Sequence, residues 1–539
     1  MVIFSIWNKN HHNSDMTKLI KPIYILLLLV LLQSTLSYCF LLSHFYELKT
    51  SGADSASFIQ LFHNLVNGYG MISSTSPPYI SQHWFGFHFS PILYTIAPIY
   101  WLFPSPKTLF LLHTILISSA TIPLFFTCKK IFSSSWQSLV ICIFYLINPL
   151  IINAQIFDFH EMAFAPLFIT IILWSIINNN KIWFIIFCFL LLTIKEHYGL
   201  SVFGAGILWA YHNRDIKFGL SASLIGLASF LIIIKIIMPY FHPDTSLAML
   251  NSSANTNYFG WIFTPFADPE LLGKRLVESI FYIFLMIYPL WFQPLLAPLW
   301  MLPALADIFI NSVSNNDMLR HPSAYHSAPI VPVLLIAYCV VIAKRYNQIT
   351  KIKRWEFIAA TALMVGFYSY SLTSLPHLPN NIWELSSIKS DYSQGDKKSI
   401  SDINNIIGGD SIISVQDNIM PHIATRRYLY MFPNESEQTE DYIIINTRNP
   451  FLKHFHAFGT PYVEDEFITY LNKIHELINN RHWKIKYYSD NWLLLKRNDK
   501  NDTDDVSDTN NQEIKNQLES DLEQLKIKQD KLDKITKRN

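Results

Sequence analysis

The chain has 539 residues, of which 51% are hydrophobic, 15% aromatic and only 15% charged, with a formal net charge of +1. Soluble domains carry about 25% charged residues, so the composition argues for a polytopic membrane protein. The near-neutral charge gives no reason to expect nucleic acid as a partner, and five cysteines without CxxC or Cys/His spacing indicate neither a disulfide framework nor a cysteine zinc site.

In chain order, residues 1–21 carry Lys9, Lys18 and Lys21 ahead of "PIYILLLLVLLQSTLSYCFLL" (22–42), a stretch long enough to span a bilayer and without a cleavage pattern behind it. It reads as a retained first helix with a cytoplasmic N-terminus. Residues 43–107 form an external loop that includes "HFSPILYTIAPIYWLF" (88–103), which is short and proline-bearing and should lie in the interface or re-enter rather than cross. Apolar stretches follow at 108–128, 136–153, 162–178, 181–194, 198–212, 217–238, 276–293, 295–310, 327–343 and 355–372. The expected fold is an all-α polytopic membrane bundle of about eleven transmembrane helices. With Lys129, Lys130, Arg214, Lys217, Lys344, Arg345, Lys351, Lys353 and Arg354 placed inside, the positive-inside rule sets the bundle (22–375) in the inner (plasma) membrane and the C-terminal region outside.

The same topology sends several polar clusters to one face. These are the loop after the first helix, His88 with Ser90, the group Asp158, His160 and Glu161, "KEH" at 195–197, and "HPSAYH" at 321–326 with Tyr325 and His326. Ionisable residues at membrane depth are costly and are usually paired or functional. Each cluster has a structural reading: Lys195 and Glu196 as an interfacial ion pair, Asp158 as a helix cap. Their convergence favours a polar cavity. Asp54 precedes an amphipathic pattern of Phe58, Leu61, Phe62 and Leu65. It is either an N-cap or a general base at the mouth of the cavity. His88, His160, His326 and Glu161 have ligand types that suit a divalent metal, zinc or manganese, and equally suit hydrogen bonding to a phosphate or a sugar. No cofactor is otherwise indicated.

The motifs together resemble the prokaryotic membrane proteins grouped as domain of unknown function 2079. Asp54, Phe58, Gln60 and Asn67-Gly68 match the start of that pattern, with Ile59 where a second Asp is common. His88-Phe89-Ser90-Pro91 matches H-x-S-P; Phe159-His160-Glu161 matches F-H-P-E without its proline; Lys195-Glu196-His197 matches K-E-D with the acid replaced. Tyr325-His326 precedes Pro329 and Pro332 as in the family, and "GDSIISVQDNIMPHIATRRYLYMFP" (409–433) is similar to its extracytoplasmic ending. The layout is similar to that of membrane glycosyltransferases of the GT-C fold, in which the loop after the first helix carries a catalytic acid. The resemblance implies a transferase that takes a sugar from a polyprenyl-phosphate donor in the membrane lipid. Asp54 would be catalytic, and Gln60, His88, Ser90, Asp158, His160, Glu161, Lys195, Glu196, Tyr325 and His326 would bind substrate. The alternative is a transporter or a protein that binds an anionic lipid headgroup without catalysis; the lack of an internal repeat and the placement of the clusters at one face weigh against it.

From about 400 the pattern changes to short β-branched and aromatic runs, "SIISV" (411–415), "RYLYMF" (427–432) and "DYIIIN" (441–446). A helix is expected at 464–480 and a hairpin over 483–497 that turns at Ser489-Asp490-Asn491. These predict a small extracytoplasmic α/β domain over 376–497. Residues 498–512 should be disordered, and the rest of the charged tail (498–539) weakly helical, a candidate contact for a protein partner.

Overall fold

The computed structural model describes residues 13–48, 50, 52–75, 82–241, 269–314, 317–322, 324–348, 394–432, 440–446, 464–480, 482–498, 515–520 and 523. The chain forms two compact units. One comprises 1–42, 84–103 and 107–385; the other comprises 43–83, 104–106 and 386–539.

The first unit is helical. Among the described residues four helices are long and apolar enough to cross a membrane: Lys21–Tyr46, whose last turn passes into the second unit, Pro106–Phe132, Ile216–Tyr240 and Tyr325–Arg345. Ser135–Leu146 and Pro149–Ile156 make a fifth candidate, bent by 53°. The bend falls where Asn148 caps the second helix by accepting from Leu150 N–H and Pro149 takes the first helical position, which needs no donor. Glu161–Ile177 and Lys181–Leu192 are apolar but shorter. The expected span at 295–310 is not one helix. Pro294, Pro298 and Pro303 remove backbone donors, and the segment breaks into Gln293–Leu296, Pro298–Met301, Leu302–Ala304 and Leu305–Val313. The stretch 355–372 lies outside the described residues. The window of Tyr325–Arg345 is 78% buried within the protein, against 28% for Lys21–Tyr46 and Ile216–Tyr240, so it is a central helix while the other two present apolar side chains outward, as lipid contact requires.

Helices Tyr198–Asn213 and Ile216–Ile232 pack through reciprocal glycines. A Cβ on Gly206 would stand 2.6 Å from the Gly219 carbonyl oxygen, and one on Gly199 would stand 2.6 Å from that of Gly226. Close backbone approach through small residues is how apolar helices gain contact when hydrophobic burial offers no advantage over lipid. The segment 84–103 does not cross: it consists of the turn Trp84–Phe87, a 3-10 turn Pro91–Thr95 and the six-residue helix Ala97–Leu102. Its exposed Trp101, Leu102 and Phe103 suit an interfacial position.

The second unit joins the loop after the first helix to the C-terminal region. The loop contributes the π-turn Gly52–Ala56, the helix Ser57–Val66 and a two-residue ladder between β1 (Ile72–Ser73) and β2 (Gln82–His83). The C-terminal part contributes β3 (Ile413–Gln416), β4 (Leu429–Phe432), β5 (Tyr442–Asn446), β6 (Trp483–Ser489) and β7 (Trp492–Arg497) in the order β4-β3-β5-β7-β6. β3 runs parallel to β4 and β5, whereas β7 runs antiparallel to β5 and β6. The β6–β7 hairpin turns through Asp490 and Asn491, both at positive φ (51° and 66°), the geometry of the short turns that match strand twist and favour Asn and Asp. On one sheet face Ile443, Ile445, Leu493 and Leu495 pack with Ile474, Leu477 and Ile478 of the helix Glu464–Asn479. The helix Gln394–Ile406 serves Trp492, whose indole N–H donates to Asp396 Oδ1 at 2.8 Å. Leu518 is fully buried in the same core as Ile474. The tail is therefore not free of the domain at that point, because an aliphatic side chain among charges finds apolar cover there. Residues 499–514 lie outside the described set.

Candidate functional site

In the first unit the polar clusters lie on turns between apolar helices. The helix Pro149–Ile156 ends at Phe157 in extended backbone, and the chain re-enters helix through the 3-10 turn Glu161–Phe164. Asp158, His160 and Glu161 lie between and are buried. His160 Nδ1 is 2.9 Å from Asp158 O; a carbonyl only accepts, so Nδ1 carries hydrogen and the neutral ring keeps its lone pair on Nε2. The helix Lys181–Leu192 ends at Thr193, and Lys195, Glu196 and His197 occupy the turn before Tyr198–Asn213. Ile92 N–H donates to Thr193 O (2.9 Å), which ties the 84–103 segment to this turn.

Side chains pair across these turns. Lys195 Nζ is 3.3 Å from Glu161 Oε1, with both residues buried. Glu196 takes His88: Oε1 is 3.3 Å from His88 Nδ1, and Oε2 accepts from Phe89 N–H at 3.2 Å. The ion pair thereby orients the imidazole with Nε2 directed elsewhere. Burial alone would push the Glu196 carboxyl up, but His88 and Lys195 beside it outweigh that and hold it below the usual carboxylate range, so it is ionised. His88 and His160 both lie within electrostatic reach of Glu161. The Tyr325 ring lies against His160 (ring centroids 3.8 Å, tilted by 30°) and stacks on His326 (4.0 Å), and Phe157 lies 5.1 Å from Tyr325. Asn153 Nδ2 donates to Pro322 O (3.0 Å), which holds the 321–326 turn to the helix before Asp158.

His88, His160, Glu161, Lys195, Glu196, Tyr325 and His326 thus form one connected polar cluster, with Asp158 buried beside His160. Ser90 is buried, and its hydroxyl has no hydrogen-bond partner among the described residues. Beside it lie Asp307, Tyr198 and His113, which the sequence reading missed. His197 Nε2 pairs with Asp307 Oδ1 at 3.0 Å. Tyr198 is buried within the electrostatic reach of Asp307, Glu161, Tyr325 and Glu196, and its hydroxyl has no hydrogen-bond partner among the described residues. His113 is buried in Pro106–Ser119 with Nε2 2.7 Å from Ala154 O. The signal for Asp307 and His113 was an ionisable residue inside an apolar stretch. Among the described residues neither oxygen of Glu161 meets a hydrogen-bond donor in good geometry, and Asp307 Oδ2 has no partner. Several buried polar atoms left unmade in one place are costly in a native protein unless water or a ligand satisfies them. Among the described residues no three His, Cys, Asp or Glu side chains are disposed to hold a metal ion.

An apolar groove lies within the same unit. It encloses about 240 Å³ between Leu29, Leu32, Leu36 and Phe40 of the first helix and Ile143, Leu146, Ile152 and Ile156 of the bent pair. Ile152 and Ile156 stand on the helix that leads directly into Phe157–Glu161.

Asp54 and Gln60 belong to the second unit. Asp54 is half-buried in the π-turn Gly52–Ala56. The cap position of the helix Ser57–Val66 is Ala56, so Asp54 is not its N-cap. Gln60 is buried and its amide is fully used: Nε2 donates to Ser74 Oγ (3.0 Å) and Arg427 O (3.1 Å), and Oε1 accepts from Ser73 Oγ (3.1 Å) and Ser74 N–H (2.8 Å). The Gln60 amide thus joins the loop to the C-terminal part of the same unit.

The sequence profile of the family described as Predicted membrane protein (DUF2079) matches residues 44–494. Among curated proteins none matches the chain. In fold the chain is similar to ArnT from Cupriavidus metallidurans in its crystal structure bound to undecaprenyl phosphate: TM-score 0.50 and 11% identity, over 87% of this chain and 97% of that one. The apo crystal structure of the same ArnT gives 0.46 and 10%, over 90% and 98%. The former likeness is one of fold.

Proposed function

The chain belongs to the DUF2079 family of multi-pass membrane proteins, and from that premise we propose that it is a membrane glycosyltransferase that moves a sugar from a polyprenyl-phosphate donor to an acceptor on the extracytoplasmic side. The observation that carries this reading is the buried cluster itself, in which cationic and unsatisfied polar groups follow, along the chain, the helix that lines an apolar groove. A polyprenyl-phosphate sugar has those parts in that order: an aliphatic tail, an anionic phosphate and a ring of hydroxyls. The fold of an ArnT solved with undecaprenyl phosphate supports it.

In this reading the groove between the first helix and Ser135–Ile156 guides the tail. Lys195 uses one N–H toward Glu161 and keeps two for the phosphate, where an ammonium is an effective point charge. His88, held through Nδ1 by Glu196, and His160, held through Nδ1 by the Asp158 carbonyl, direct Nε2 to a sugar hydroxyl, which donates to it. Glu161, Asp307 and Tyr198 offer the sugar hydroxyls their unsatisfied oxygens. Asp54, on the loop that carries the acid in GT-C layouts, removes the acceptor proton. The acceptor oxygen bonds to the anomeric carbon, the carbon–oxygen bond to phosphate breaks, and the electron pair leaves on the phosphate.

Mass spectrometry of lipid-linked sugars from cells lacking the protein tests this. A polyprenyl-phosphate sugar should accumulate and a surface glycan lose one sugar. Unchanged lipid-linked sugars and glycans with altered solute uptake would overturn the reading in favour of transport.

A further inference from the structure

Within the second unit, the turn that leaves the C-terminal end of β3 reaches back to the loop after the first helix with three side chains. Asp417 Oδ1 accepts from Gly52 N–H. Asn418 Nδ2 donates to Leu48 O at 3.2 Å. His422 Nε2 donates to Phe45 O at 2.8 Å, and its ring stacks on that of Phe45 with centroids 4.0 Å apart. The loop is fastened again beyond Asp54, where Gln60 donates to Arg427 O and Ser74 Oγ donates to Leu429 O (2.7 Å) at the start of β4. Asp54 lies between the two sets of fastenings.

A second observation is independent of the hydrogen bonds. A Cβ on Gly52 would stand 2.5 Å from Asp417 Oδ1, 2.5 Å from Met420 Sδ and 2.9 Å from Asp417 O. The backbone at Gly52 is pressed onto the turn so closely that no side chain fits. The C-terminal end of β3, where ligands commonly sit in α/β sheets, is followed here by a turn that the chain's own loop covers.

We propose that Asp417, Asn418 and His422 form a clasp that holds residues 45–56 and makes the C-terminal domain the positioning element for Asp54. The positioning role rests on the assignment of Asp54 as the base. Asp417 touches no substrate in this account; it acts through Gly52, two residues before Asp54. A carboxylate is preferred there because it accepts a charge-assisted bond from a backbone N–H.

The test uses the full-length protein in nanodiscs and three variants. Asp417→Ala removes the acceptor, Asp417→Asn keeps one, and Gly52→Ala drives a methyl into the turn from the other side. Hydrogen exchange in peptides covering 47–60 should quicken about tenfold in Asp417→Ala and Gly52→Ala, while β5 and β7 stay protected and report that the domain is folded. Transfer from a polyprenyl-phosphate sugar should lose about a hundredfold in kcat with KM for the lipid nearly unchanged, and Asp417→Asn should restore most of both. Unchanged exchange in 47–60 in both disrupting variants overturns the clasp. Quickened exchange with full kcat overturns the positioning role. A wild type that shows no transfer overturns the glycosyltransferase reading and the positioning role with it, and the exchange data distinguish that result from failure of the clasp.

Discussion

Removal of one partner from the Lys195–Glu161 pair should destabilise the first unit sharply. Glu161 is 1% exposed and Lys195 8%. At 3.3 Å and an effective dielectric constant of 20, the attraction between unit charges is about 5 kcal/mol. Desolvation offsets much of that gain in the intact pair, but a single variant keeps the burial cost of the remaining charge without its partner. Glu161→Gln and Lys195→Met should therefore each cost about 3 kcal/mol. The double variant removes both charges and should cost less than the sum, with a coupling of about 2 kcal/mol. Equilibrium unfolding in mixed micelles, followed by tryptophan fluorescence across the cycle, measures all four terms. Single variants within about 0.5 kcal/mol of wild type, or strict additivity, would refute the pairing and the view that this cluster is buried.

Gly206→Val should destabilise the first unit by about 2 kcal/mol, because its side chain must displace the helix at the Gly219 carbonyl; unchanged unfolding would contradict the close glycine contact. His422 gives the second unit an acid-sensitive element, since burial pushes its pKa down to about 4 while the hydrogen bond to Phe45 O opposes that shift only in part. The unfolded imidazole takes up a proton below about 6.5 and the folded one resists until about 4. Stability is therefore full above that range and falls with pH through it, by at most about 1.4 kcal/mol per unit, and by less because the ring is part-exposed. Thermal melts at pH 7 and pH 5 for wild type and His422→Gln measure this, and identical pH slopes would contradict it. Glu196→Gln should lower transfer about tenfold by weakening the hold on His88 Nδ1; transfer at the wild-type rate would contradict the role of Glu196.

The bundle was legible because apolar runs with basic flanks carry their own signal, and so were the strands: "SIISV" overlaps β3, "RYLYMF" and "DYIIIN" contain β4 and β5, and the Asp490-Asn491 turn lies where its residue types placed it. Pairing was not legible. His88 meets Glu196 across 108 residues and Gly52 meets Asp417 across 365, and spacing in one sequence carries no trace of such contacts. Lys195 and Glu196 looked like partners because they are adjacent; each in fact pairs with a residue on another element, since neighbours in a turn point apart. Asp307 was hidden inside a stretch read as a span, where the prolines that break it were the available warning. Gln60 looked functional through its motif, yet its amide is used in joining two parts of one unit.

The most direct measurement is transfer of a labelled sugar from a polyprenyl-phosphate donor by the purified protein in nanodiscs, compared with Asp54→Asn. The account predicts transfer by the wild type and a loss of at least about a thousandfold in the variant, which keeps the shape of the side chain and removes its basicity. Equal rates in the two proteins, or binding of the lipid with no transfer by either, would contradict it.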